Sequence, residues 1–145
     1  DLDRGLARRL PAIDRTKKPS AAVDSRRVIR LVIDGGNRVT LDGKTVTMKE
    51  IRQRAAQFVE ANGKGHLIQL QTDRKASYDT YLHVQNQLVA AYNAVRNRRS
   101  SGLFGKTFDQ CSREQQDQVA SEVPIRITEV YAVGGLEKTV KGGGR

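Results

Sequence analysis

Between Val28 and Val130 the spacing of apolar residues changes repeatedly from the two-residue period of a strand to the helical period of about 3.6. The changes fall at turn and cap signals, and this restricts the chain to a sheet with helices packed on it. Val28 to Ile33 is short, β-branched and almost continuously apolar, the pattern of a strand buried on both faces. Asp34-Gly35-Gly36-Asn37 then predicts a turn, because glycine and asparagine tolerate positive φ. Arg38 to Leu41 reads as a second strand, Asp42-Gly43 as a tight hairpin turn, and Lys44 to Val46 as a third, short strand.

Thr47 and Glu50 have the spacing of a capping box, and Met48, Ile51, Ala55, Phe58 and Val59 form an apolar helical stripe behind it. Asn62-Gly63 supplies the stop. His66 to Gln71 alternates, with Ile68 and Leu70 facing one way and Gln69 and Gln71 the other, as in a half-covered strand. Ser77 caps a long helix predicted over Tyr78 to Arg98, whose stripe is Tyr81, Val84, Leu88, Ala91 and Val95, widened by Leu82, Val89 and Tyr92. Gly102 to Asp109 reads as loop, Ser112 opens a short helix, and Ile125 to Val130 is the last strand. The expected fold class is therefore α+β: an open mixed sheet of about five strands in the order β-β-β-α-β-α-α-β, with helices packed on one face. Residues 1–26 read as a flexible basic arm, 27–131 as the folded domain, and 132–145, with Gly134-Gly135 and Gly142-Gly143-Gly144, as a flexible tail.

The net charge of +10 is unevenly spread: residues 1–30 hold nine Lys/Arg against four Asp, a net +5. Such an arm suits anionic partners, nucleic acid among them. Aromatics, however, make up only 5% of the chain, and no RNP-like run, GXXG loop or zinc finger is present, so nucleic acid is not the expected partner. One cysteine, Cys111, excludes an internal disulfide and a cysteine metal cluster. His66 and His83 have no second ligand at zinc spacing, and no cofactor is expected. Gly102-Leu103-Phe104-Gly105-Lys106-Thr107 ends like a phosphate loop, but Ser100 stands where the first glycine belongs, and a helix rather than a strand precedes it. No nucleophile, acid or base is nominated by spacing, so catalysis is not expected. No apolar run reaches the 18 or so residues of a membrane span, so a membrane segment, if the natural protein has one, lies outside these residues.

Ile68-Gln69-Leu70-Gln71-Thr72-Asp73, followed by Tyr78 at the head of a long helix, resembles the ExbD/TolR family, in which a strand runs through a short acidic step into a helix opening with an aromatic. The Asp42-Gly43 hairpin before a capped helix fits the same pattern, and Ser77 to Asn93 with Phe104 to Gln116 looks like a longer branch of the family. The resemblance spans about residues 28–130 and implies a periplasmic domain, anchored to the bacterial inner membrane by an N-terminal helix that this sequence lacks. That helix would carry the proton-coupling aspartate. Residues 100–124 depart from the short family members, which pass almost directly from the second helix to a final strand.

By the same resemblance the protein would be a homodimer seated in a pentameric ExbB/TolQ-like stator. Driven by proton motive force, it would engage a TonB/TolA-like protein to power transport across the outer membrane. A TolR-like member would instead hold peptidoglycan and serve envelope integrity. The physical device expected for partner binding is an open sheet edge, placed at Ile125, Ile127 and Val130. Leu10-Pro11 matches the end of the family's apolar segment after the membrane helix, and Leu6 loosely fills an earlier position, so the arm is a candidate competitor for that edge. Asp73 and Tyr78 are the motif residues.

Overall fold

The computed structural model describes residues 27–133 and 136–139, with side chains described as far as Val130. Among these residues six strands form one mixed sheet: β1 (Val28–Ile33), β2 (Val39–Leu41), β3 (Lys44–Thr45), β4 (Leu67–Asp73), β5 (Ile127–Val133) and β6 (Leu136–Thr139). Their spatial order is β3-β2-β1-β4-β5-β6. The central pairs β1–β4 and β4–β5 are parallel, while β1–β2, β2–β3 and β5–β6 are antiparallel. Among the described residues three α-helices are interleaved: α1 (Met48–Asn62), α2 (Tyr78–Phe104) and α3 (Arg113–Glu122). The class is α+β, and the element order agrees with the sequence reading up to a final added strand.

The chain divides into two compact units. One is the sheet unit, made of the segments up to Val46, Leu67–Leu82 and from Arg126 onward; the other is helical, made of Thr47–His66 and His83–Ile125. In the sheet unit, the register sets Leu31 opposite Leu41, Ile33 opposite Val39, Ile29 opposite Ile68 and Leu31 opposite Leu70. All of these residues are buried. Because strand side chains alternate, Arg30, Gln69 and Thr128 stand level on the opposite face, which is partly exposed. Burial of β1 on both faces is thereby corrected: Arg30 is exposed and Val32 only half-buried, since the polar face of β4 continues across β1.

Asp42 (φ 49°) and Gly43 (φ 90°) take the two left-handed positions of a tight hairpin, as their residue types predict. In the helical unit the Thr47–Glu50 capping box is closed in both directions, at 3.1 and 2.8 Å. The α1 stripe buries Ile51, Ala55 and Val59, and that of α2 buries Val84, Leu88, Ala91, Tyr92 and Val95. Leu82 and Val89, expected to widen the α2 stripe, are exposed. α2 also runs past its expected end at Arg98 and into the expected loop from Gly102. The helix continues to Phe104 and stops at Gly105, whose positive φ of 70° and N–H bond to the Ser101 carbonyl form the left-handed cap.

Both ends of the last strand also move, its start from Ile125 to Ile127 and its end from Val130 to Val133. β5 runs to Val133, past residue 131, and Leu136–Thr139 pairs with it as β6 where a tail was expected. The expected flexible basic arm, residues 1–26, lies outside the described residues, as do 134–135 and 140–145.

Candidate partner-binding site

β1 and β4 run parallel, so the loops that follow them open at the same end of the sheet. In the first loop Asp34 Oδ1 accepts from the Gly36 and Arg38 amides, both at 2.9 Å. These amide donors, Arg38 first, hold the Asp34 carboxyl below the usual carboxylate range. Asn37 takes a left-handed φ of 68° and accepts the Ser77 amide on Oδ1 at 2.8 Å, tying the first loop to the second. A side chain at Gly35 would meet Asp73 Oδ1 at 3.3 Å, so the missing Cβ is what lets the loops lie close.

Asp73 ends β4 and its Oδ1 accepts the Lys75 amide at 2.8 Å, which closes the turn into α2. Ser77 Oγ then accepts the Thr80 amide as the cap. Tyr78, the first residue of α2, is 72% exposed and stacks on Tyr81 with centroids 6.3 Å apart. Tyr81 donates its hydroxyl to the Glu129 carboxylate, at 2.9 Å to Oε1 and 3.1 Å to Oε2. This hydrogen bond fixes the start of α2 on β5. Asp73 stands opposite Ala132 of β5, and Ala132 opposite Glu137 of β6. The acidic step, the exposed ring and the outer strand therefore meet at one end of the sheet.

The structure distributes the sequence candidates unevenly. Asp73 and Tyr78 belong to this end. Ile127 stands opposite Ile68 near the start of β4, at the other end, and Ile125 is exposed just before it. Val130 is not at an edge, because it pairs with Thr139 of β6, whereas among the described residues no strand pairs with the far side of Ile127. Among the described residues the sheet ends at β3 and β6. Strand β3 has two residues, both exposed and one a lysine, which blunts that edge. The four residues of β6 form the longer one. Leu6, Leu10 and Pro11 lie outside the described residues.

Sequence reasoning missed β6 and the Tyr81–Glu129 contact. A signal for β6 was present: Gly134-Gly135 is a favoured composition for a two-residue hairpin connection. Among the described residues no cluster of His, Cys, Asp or Glu could hold a metal ion, and no helix is long and apolar enough to cross a membrane.

Residues 3–98, about two thirds of the chain, match the family model described as Biopolymer transport protein ExbD/TolR. The match starts well before Val28 and ends within α2, leaving the rest of α2, α3, β5 and β6 outside it. No curated protein matches the chain.

Proposed function

The chain belongs to the ExbD/TolR family of biopolymer transport proteins, and from that premise we propose that it forms the periplasmic domain of an energy-transducing subunit that grips a TonB-like partner by strand addition at β6. One observation carries the reading: the longer edge of the described sheet, β6, adjoins the end where Asp73 and Tyr78 stand. An edge strand presents unpaired N–H and C=O groups on its outer side, and an extended peptide satisfies them without needing a pocket. The subunit works as a homodimer in an ExbB/TolQ-like pentameric stator, anchored in the inner membrane. Proton motive force enters there, and the domain passes it on by binding rather than by catalysis.

Within the same reading the basic arm regulates access. Leu6, Leu10 and Pro11 offer an extended segment that occupies the edge until the partner displaces it. Titrating the isotope-labelled chain with peptides from a TonB-like protein of the same genome tests both parts. Shifts in the β5 and β6 amides, and tighter binding after removal of residues 1–26, are the expected results. Peptides that leave the β6 amides unmoved sink strand addition at this edge, and unchanged affinity without the arm sinks the competition.

A further inference from the structure

The helical unit contains a cleft of about 500 Å³, within the size range of small-ligand sites. It is lined by the end of α1 (Val59, Glu60, Gly63), the second half of α2 (Val95, Arg98, Arg99, Gly102) and the end of α3 (Glu122, Val123). Arg99, Gly102, Glu122 and Val123 lie beyond residue 98, so the cleft is completed by the segment outside the family match. It belongs to the chain's own extension and is independent of the sheet edge.

Its chemistry is two-sided. Val59, Val95 and Val123 are buried and give the lining an apolar part. Charged pairs complete it. Arg98 NH1 lies 2.8 Å from Glu60 Oε1, and Arg99 Nε lies 2.5 Å from Glu122 Oε1. Glu122 is further satisfied by Gln118, which donates to its second oxygen at 3.3 Å. The guanidinium groups are not used up in the same way. Among the described residues Arg98 is engaged through NH1 alone and Arg99 through Nε alone. Both arginine side chains are more than half exposed, so the existing pairs contribute little and can share a second carboxylate. The surplus donors call for a carboxylate, and the valines call for a small aliphatic group beside it.

We propose that this cleft binds an α-carboxylate carried next to a small aliphatic side chain, as at the C-terminus of a peptide ending in valine or alanine. The carboxylate bridges Arg98 and Arg99, and the aliphatic group rests on Val59, Val95 and Val123. A free amino acid carries the same chemistry, so the test includes it.

The experiment is an NMR titration of the labelled full chain with N-acetyl-alanyl-valine, its C-terminal amide, valine and acetate. The free acid is expected to shift the amides of Gly63, Gly102 and Val123, with the amide form and Arg99→Gln each at least about tenfold weaker, as for loss of a charge-assisted hydrogen bond. Tighter binding of the dipeptide than of valine assigns the site to peptide ends, and equal binding assigns it to amino acids; both uphold the shared chemistry. Gly102→Leu serves as the second variant. It leaves both arginines in place, enters space where a Cβ meets nothing within 4 Å, and favours helix, so it folds and blocks the cleft. The proposal is overturned if the amide form binds as well as the acid, if acetate matches the dipeptide, if no amide moves, or if Gly102→Leu binds like the parent.

Discussion

His66 is fully buried at the start of β4, with both ring nitrogens engaged. Nδ1 lies 2.6 Å from the Gly63 carbonyl, which can only accept, so the ring donates there. In the neutral ring Nε2 is then an acceptor and takes the Tyr92 hydroxyl at 2.5 Å. Tyr92→Phe keeps the ring and deletes this buried bond. It is expected to destabilise the protein by about 1–3 kcal/mol, read as a lower urea midpoint at unchanged slope. Little of this was legible in the sequence: the partners are 26 residues apart, and a single histidine without ligand spacing signals only that it is no metal site. Tyr81 was misjudged for a related reason. Its place in the α2 stripe suggests a core ring, whereas its hydroxyl reaches Glu129, a contact made by a strand 48 residues away. Tyr81→Phe should leave the fold intact and weaken partner-peptide binding at β6 if the start of α2 positions that edge; unchanged affinity in the titration separates the two.

Local punctuation decides the elements, and here the sequence was most informative. Caps and tight turns are contained within four or five residues, so the Thr47–Glu50 box, the helix start at Ser112 and the Asp42-Gly43 turn could be read before any packing was known. Gly43→Val places a β-branched residue at φ 90° and should cost at least about 1–2 kcal/mol, seen as a lower melting temperature. Thr47→Ala removes one half of the α1 capping box and is expected to cost about 1 kcal/mol by the same measurement. Where punctuation was ambiguous the reading failed. The helix was expected to end at Arg98 with a loop from Gly102, but a glycine in a last turn can stay helical, and the residue that ends α2 is Gly105. Edges were illegible for a deeper reason: which strand is outermost depends on pairing, and β5 loses the edge from Val130 to Val133 to four residues whose own pattern is too short to announce a strand.

For the molecule as a whole, acid is the expected weakness. The Asp34 carboxyl is held low by backbone donors, and that of Glu122 chiefly by its hydrogen bond from Arg99 and then by Gln118. A depressed folded pKa means the ionised form favours folding, so this stability is present above the unfolded pKa and is lost as pH falls through the folded values. The urea midpoint should therefore stay level from about pH 7 to 5 and drop below about pH 4. Combining Asp34→Asn with Glu122→Gln should make that drop shallower; an unchanged drop would assign it to other carboxylates. The sheet also has a mechanical side. The strands are joined side by side, so a pull on the outer strand is passed across the sheet from one ladder to the next. Load along the strand axes shears six register pairs between β1 and β4 and six between β4 and β5, but only four between β5 and β6. The outer hairpin is then the weakest joint in series: it slips first under excess tension, releasing whatever it holds before the parallel centre of the sheet comes apart.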